Sequence, residues 1–220
     1  MGYIHRFDLN RFIKEYKTEV FFETGTFYGD AVEYALKFDF KNLYSSEIVP
    51  QLAETASKRF LHTNKVQIIN SDSSTSLKQY LPNIKGNILF WLDAHFPGAD
   101  AQLTEYDMEL NEQLRLPLEE ELNIISTLRK GKKDVIIIDD LRIYEDGPFE
   151  NGLVPQDAMP VGERSIKFIT DLFSNTHKVF KSYRDEGYTL IFPKRRYALS
   201  HFSLKDFLQR TAMVEDHYIM

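Results

Sequence analysis

The sequence predicts an α/β fold, a doubly wound and mostly parallel seven-stranded sheet with a C-terminal antiparallel hairpin. Three observations predict it. Five short apolar runs lack alternation, which is typical of strands buried on both faces of a parallel sheet. Helix-like patterns alternate with these runs, which favours right-handed βα units. Near the end of the chain, residues 178–183 and 188–192 are joined by Asp185-Glu186-Gly187, which is a hairpin signal.

The composition is typical of one soluble domain. The chain has 220 residues, 43% of them hydrophobic, so we expect a single domain over residues 1–220. The formal net charge of −6 disfavours a nucleic-acid partner. The lack of cysteine excludes disulfides, thiolate metal sites and a cysteine nucleophile. No apolar run suits a signal peptide or a membrane span, so we expect a cytoplasmic protein that does not contact membranes.

The elements can be placed in order from the N terminus. Asp8 can cap a first helix over about residues 8–18, where apolar residues recur on one face. The five apolar strands are predicted at residues 20–22, 43–46, 66–69, 88–92 and 135–138. The later helices are predicted at residues 31–38, 50–60, 74–81, 117–128 and 166–173. Pro50 and Pro117 suit the first position of their helices, because proline there costs no hydrogen bond.

Two long irregular stretches interrupt this pattern. Residues 94–116 follow the fourth strand and residues 141–162 follow the fifth. Loops of this length are uncommon in compact domains and are usually functional. We expect both to form a lid over the site at the strand ends.

A turn containing two glycines follows the first strand, with the sequence Glu23-Thr24-Gly25-Thr26-Phe27-Tyr28-Gly29. Gly25 would let a ligand approach the backbone, and Gly29 would let the next helix pack closely. Glu47 ends the second strand, roughly 20 residues further on, where an acid binds ribose hydroxyls in nucleotide sites. The structural alternative is a plain tight turn with a surface glutamate.

Polar residues also follow the other strands. Asp72 and Ser73 can bind an adenine edge or cap the next helix, and the two roles are compatible. Asp93 follows the fourth strand, and Asp139 and Asp140 follow the fifth. Three crowded carboxylates repel one another unless one takes up a proton or a divalent cation binds, and oxygen ligands favour Mg²⁺, Ca²⁺ or Mn²⁺. The alternative is that Asp139 or Asp140 caps a loop or pairs with Arg142.

Together these residues resemble the class I S-adenosylmethionine-dependent methyltransferases over residues 20–192. The turn Glu23-x-Gly25-x-Phe27-x-Gly29 is similar to the first motif of the catechol- and caffeoyl-CoA-type O-methyltransferases, with Phe27 where many other methyltransferases have a glycine. Leu92-Asp93-x-His95 is similar to their fourth-strand motif, and residues 128–140 to their fifth-strand region. Macrolide-sugar O-methyltransferases share the arrangement of acids.

The resemblance implies a Rossmann-like fold, S-adenosylmethionine as cofactor, and a hydroxyl of a small molecule or sugar as acceptor. It implies that the cofactor contacts Glu23, Thr24, Gly25, Thr26, Phe27, Gly29, Glu47, Asp72, Ser73 and Asp93. It also implies a Mg²⁺ site on Asp93, Asp139 and Asp140. The oligomeric state is open on sequence grounds, and the N-terminal helix and the final segment are the candidates for a homodimer contact.

The chain departs from the catechol-type pattern after the fourth strand. Those enzymes have a lysine general base there, whereas this chain has His95-Phe96-Pro97-Gly98. His95, with an ordinary pKa of about 6.5, is therefore the candidate base, and Asp93 is the second candidate catalytic residue. The alternative is a histidine with a structural or cofactor-lining role.

Three other functions are open on sequence grounds. One is a metal-dependent hydrolase that uses Asp93, His95, Asp139 and Asp140. Another is a non-catalytic protein that binds S-adenosylmethionine. The third is an NAD(P)-dependent oxidoreductase, but the first turn does not match the Gly-x-Gly-x-x-Gly fingerprint of that class.

Overall fold

The computed structural model describes residues 3–99, 101–106, 111–152, 154, 158–160 and 164–194. The strands are β1 (Thr18–Thr24), β2 (Asn42–Glu47), β3 (Val66–Asn70), β4 (Asn87–Leu92), β5 (Val135–Ile138), β6 (His177–Ser182) and β7 (Tyr188–Pro193). The helices are α1 (Leu9–Tyr16), α2 (Asp30–Ala35), α3 (Pro50–Arg59), α4 (Ser73–Tyr80), α5 (Glu112–Arg115), α6 (Leu118–Leu128) and α7 (Lys167–Phe173). The final segment, considered above for a dimer contact, lies outside these residues.

The seven strands form one sheet in the order β3-β2-β1-β4-β5-β7-β6. Strands β1 to β5 are parallel, and β7 is antiparallel to both β5 and β6. This confirms the predicted fold class. Because β1 pairs with β2 on one side and β4 on the other, the strand order reverses there, and ligands of such sheets bind at that switch point.

Both faces of the sheet are covered, which explains why the strands are apolar without alternation. Phe21, Leu89 and Trp91 face one core cluster with residues of α1 and α2. Phe22 and Phe90 face the other, with residues of α4, α6 and α7. The central strands are thus buried on both sides, as a doubly wound sheet requires.

The predicted first helix is confirmed as Leu9–Tyr16. Asp8 caps it, since its carboxylate accepts a hydrogen bond from the Asn10 amide at 3.1 Å. Just before this helix, the Phe7 ring packs edge-on against Tyr188, with centroids 5.1 Å apart. This contact fixes the N-terminal stretch against the hairpin.

Most predicted boundaries hold within two residues. Strand β1 begins at Thr18 instead of residue 20, and β6 begins at His177. Helix α4 begins at Ser73, because Asp72 accepts a hydrogen bond from the Thr75 amide at 2.8 Å and caps it. Among the helices described, none is both long and apolar enough to cross a membrane.

Candidate functional site

A cavity of about 300 Å³ lies at the carboxyl ends of the parallel strands. It is lined at the end of β1 by Gly25 and Phe27, at the end of β2 by Glu47, and beyond β3 by Asp72 and Ser73. After β4 it is lined by Asp93, Ala94, His95, Phe96, Pro97 and Gly98. The sheet therefore gathers residues from four separate strand ends around one space.

Gly25 allows the loop after β1 to lie against the loop after β4. Its φ is +84°, a region that favours glycine. A Cβ atom at Gly25 would lie 2.4 Å from the carbonyl oxygen of Asp93, so a side chain does not fit there. Phe27, which is not a glycine, also has a positive φ of 51°. The turn thus holds Gly25, Phe27 and Gly29 in the left-handed conformation.

The carboxylate of Glu47 is held in place by backbone amides on both sides. Its Oε2 accepts a hydrogen bond from the Phe27 amide at 2.8 Å, and its Oε1 from the Val49 amide at 2.9 Å. Burial raises the pKa of Glu47, and these amides oppose the rise. Glu47 therefore sits at the cavity in a fixed orientation.

Four residues of the predicted cofactor set lie outside the lining. Glu23, Thr24, Thr26 and Gly29 are not among the described residues that line the cavity. Glu23 is 1% exposed and accepts a short hydrogen bond from the Ser45 hydroxyl, which is 2.5 Å from the Thr26 hydroxyl. Burial raises the pKa of Glu23 well above its ordinary value. Glu23, Ser45 and Thr26 thus form a chain of buried hydrogen bonds next to the turn.

Of the two roles that the sequence left open for Asp72 and Ser73, the structure shows the helix cap, and it places both residues at the cavity. Both line the cavity, and Asp72 caps α4. Capping uses Oδ1 of Asp72. The carboxylate therefore keeps acceptor capacity for a ligand.

Asp93 and His95 lie together at the end of β4. The His95 Nε2 atom is 3.1 Å from Asp93 Oδ1 and 3.6 Å from Asp140 Oδ2. The other oxygen of Asp140 accepts a hydrogen bond from Arg142 Nε at 2.7 Å. His95 thus lies between two carboxylates, one of which is already paired with a guanidinium.

The structure does not show the predicted Mg²⁺ site on Asp93, Asp139 and Asp140. Within the described ranges, no group of three His, Cys, Asp or Glu residues is placed to hold a metal ion. Asp140 pairs with Arg142, as the sequence alternative had it. Asp139 is 2% exposed, and burial together with the charges of Asp93 and Asp140 raises its pKa well above the ordinary range. Arg142 offsets part of the negative charge of this cluster, and His95 lies beside two of its carboxylates.

Sequence reasoning missed Glu121, a carboxyl group buried beside this cluster. It is 1% exposed on α6, and burial raises its pKa from 4.5 to about 7, while the Ser73 and Thr24 hydroxyls and the charge of His95 lower it. The available signal was periodicity, because Glu121 follows Leu118 by one helical turn and lies on the buried face. Burying a charge on an apolar helical face costs free energy unless the charge is paired or hydrogen-bonded.

The two long segments occupy different places relative to the cavity. Residues 94–98 and parts of 111–117 line it, whereas none of the described residues in 141–152 does. The second segment instead packs on the first, in an apolar cluster of Phe96, Ala99, Ile143, Val154 and Ala158. The first segment is therefore a wall of the cavity, and the second supports it.

Solved methyltransferases share this architecture at low sequence identity. The SAH-bound methyltransferase from Podospora anserina is 15% identical, with a TM-score of 0.54 over 83% of this chain and 75% of that chain. A SAM-dependent methyltransferase from Aquifex aeolicus is 14% identical, with a TM-score of 0.52 over 86% and 90%. The O-methyltransferase of tomaymycin synthesis from Streptomyces achromogenes, solved with SAM, is 12% identical, with a TM-score of 0.51 over 85% and 78%.

Neither a protein-family model nor a curated protein matches the sequence. The structural likeness covers more than four fifths of the chain in each of the three cases. The chain therefore has the class I methyltransferase fold.

Proposed function

We propose that this chain is an S-adenosylmethionine-dependent methyltransferase that methylates a hydroxyl group of a small molecule or sugar. One observation carries the proposal: a single cavity at the switch point brings together Gly25, Glu47 and Asp93. Ligands of doubly wound sheets bind at this point. The proposal is also supported by the SAM that the tomaymycin O-methyltransferase holds on the same fold.

The residues of the cavity suit the parts of this cofactor. In the proposed complex, Glu47 accepts hydrogen bonds from the ribose hydroxyls, and Asp72 and Ser73 lie near the adenine. Gly25 lines the cavity, so the cofactor can approach its backbone there, and its missing side chain lets the Asp93 carbonyl pack against the same turn. The bound cofactor supplies a methyl group already activated by its sulfonium, so alignment and proton transfer are left to the protein.

His95 is the proposed proton acceptor. When the acceptor hydroxyl is methylated, its oxygen would lose a proton, and the imidazole of His95 would take that proton. Asp93 and Asp140, at 3.1 Å and 3.6 Å from His95 Nε2, stabilise the resulting imidazolium. The two carboxylates thus act in this proposal as partners of a histidine.

Calorimetric titration of the full chain with S-adenosylhomocysteine tests the proposal without knowledge of the acceptor. We expect micromolar affinity, unchanged when Mg²⁺ is added, because the carboxylates pair with His95 and Arg142. Absence of binding would remove the methyltransferase proposal. Tighter binding with Mg²⁺ would show that the carboxylates rearrange around a metal ion. Methyl transfer from labelled cofactor to a panel of hydroxyl compounds then separates an enzyme from a protein that only binds the cofactor.

A further inference from the structure

Arg115 is a buried guanidinium that contacts three separate parts of the chain. It ends α5 and is 5% exposed. Its Nε donates to the Tyr106 carbonyl at 3.1 Å, its Nη2 to the Met159 carbonyl at 2.8 Å, and its Nη1 to the Glu112 carboxylate at 2.9 Å. This side chain therefore bonds to a residue that is 44 positions away from it in sequence.

Arg115 also holds the wall of the cavity. Its carbonyl accepts a hydrogen bond from the Phe96 amide at 2.9 Å. Its guanidinium carbon lies 5.1 Å from the centre of the Phe96 ring, within the range of a cation–π contact. Phe96 lines the cavity directly after His95 and has a positive φ of 46°. A phenylalanine in that strained conformation needs its surroundings to hold it.

Two segments meet at Arg115. The post-β4 segment comprises residues 94–99, 101–106 and 111–116, and the post-β5 segment comprises residues 141–152, 154 and 158–160. Phe96 and Ala99 of the first pack against Ile143, Val154 and Ala158 of the second. Because Arg115 bonds to Tyr106 in one segment and Met159 in the other, its hydrogen bonds reinforce that apolar contact.

We propose that Arg115 is a positioning residue for the cofactor cavity, coupling the wall at His95 and Phe96 to the post-β5 segment so that both segments hold the cavity as one unit. This inference rests on the proposed function, since it takes S-adenosylhomocysteine as the ligand. Arg115 does not itself line the cavity. It acts through Phe96, which does.

Lysine cannot replace arginine in this role. A guanidinium has five donors in a fixed plane, which suits two carbonyls and a carboxylate in different directions. An ammonium is a compact charge on a flexible stem and satisfies fewer of these partners in fixed geometry. Arg115→Lys therefore keeps the charge and loses the coupling.

The test combines calorimetry with S-adenosylhomocysteine and hydrogen exchange on the full chain. For Arg115→Lys we expect the Kd to rise roughly tenfold, which corresponds to the loss of about one charge-assisted hydrogen bond. We also expect amide exchange to accelerate together in residues 94–106 and 141–152, including the Phe96 amide that bonds to residue 115. Exchange in β1 and β4 should stay at the wild-type rate.

Arg129→Lys is the matched control. Arg129 is likewise 5% exposed, and it binds Asp134 and the carbonyls of Ile84 and Gly86 before the amino ends of β4 and β5. We expect this variant to lose stability and to keep the wild-type Kd. If Arg115→Lys does not fold, Glu112→Gln replaces it, because Glu112 is 42% exposed and its loss should raise the Kd about threefold.

The outcomes separate the inference from the proposed function. A wild-type Kd in Arg115→Lys would overturn the positioning role. An equal rise of the Kd in Arg115→Lys and Arg129→Lys would overturn it too. Exchange that accelerates in only one of the two segments would also overturn it. A wild-type chain that does not bind S-adenosylhomocysteine would instead contradict the proposed function, and the exchange result would still decide whether Arg115 couples the segments.

Discussion

At the scale of single residues, the carboxylate of Glu47 is held in one orientation by backbone amides. The amides of Phe27 and Val49 use one acceptor site on each of its oxygens. A carboxylate has about four such sites, so about two are left for the ribose hydroxyls of the proposed cofactor. The position of the Glu47 carboxylate therefore depends on the turn after β1, which supplies the Phe27 amide, as well as on β2.

Glu47→Gln should raise the Kd for S-adenosylhomocysteine at least tenfold. An amide has fewer acceptor sites than a carboxylate and no charge, so it cannot satisfy both backbone amides and the ribose. Calorimetry measures the change. Glu19→Gln is the control, because Glu19 pairs with Lys41 at the opposite end of β1 and should leave the Kd unaltered. Equal affinities of Glu47→Gln and wild type would refute the ribose assignment.

At the scale of elements, the loop between β1 and α2 depends on how closely two strand ends approach. The amides of Gly25 and Thr26 both donate to the carbonyl of Ser46, and the Asp93 amide donates to the Thr24 carbonyl. These bonds hold the ends of β1, β2 and β4 together. A larger residue at Gly25 would separate them.

Gly25→Ala should therefore cost more stability than its backbone conformation alone requires. A Cβ there meets the Asp93 carbonyl at 2.4 Å, whereas a Cβ at Gly131, with the similar φ of +83°, meets nothing within 4 Å. We expect Gly131→Ala to lose about 1 kcal/mol and Gly25→Ala clearly more, on the order of 3 kcal/mol. Denaturant unfolding of the two variants compares them. Equal losses would show that the contact with Asp93 relaxes freely.

The same pair of variants separates stability from binding. Gly25→Ala displaces the Asp93 backbone, so it should also weaken S-adenosylhomocysteine binding, and Gly131→Ala should not. If both variants bind like wild type, the loop after β1 does not contact the ligand.

At the scale of the whole molecule, several buried carboxyl groups lie near one edge of the sheet. Burial raises the pKa of Glu23, Glu47, Glu121 and Asp139. A carboxyl group with a raised pKa in the folded state stabilises the fold at low pH. That stabilisation is lost as the pH rises through the folded-state pKa, because the unfolded chain then binds fewer protons.

Glu121→Gln isolates one part of this effect. The pKa of Glu121 rises from 4.5 to about 7, so wild type should lose about 3 kcal/mol relative to the glutamine variant between those pH values. Above pH 7 the difference should stay constant. Urea unfolding of both proteins at a series of pH values measures it. Parallel curves for the two proteins would mean that Glu121 titrates normally.

Much of the architecture could be predicted because its causes are local in sequence. The apolar runs at residues 20–22 and 135–138 predict buried parallel strands, and Asp8 and Asp72 are caps whose partners lie two or three residues away. The turn at Gly25 and the acid at Glu47 could also be predicted, because each comes at the end of an apolar run that forms a strand. The sequence by itself therefore determined the fold class and the edge of the sheet at which the cavity lies.

Only the tertiary structure decided how the charged groups are paired. The sequence left two alternatives for Asp140, a Mg²⁺ site and pairing with Arg142. In the structure Asp140 pairs with Arg142 and lies 3.6 Å from His95. The neighbours of Glu121 and Arg115 come from distant parts of the sequence. Glu121 lies near Thr24 and Ser73, and Arg115 donates to the Met159 carbonyl. The physical reason is that pairing and burial depend on distances across the fold, whereas propensity, capping and hydrophobic periodicity depend on neighbours along the chain.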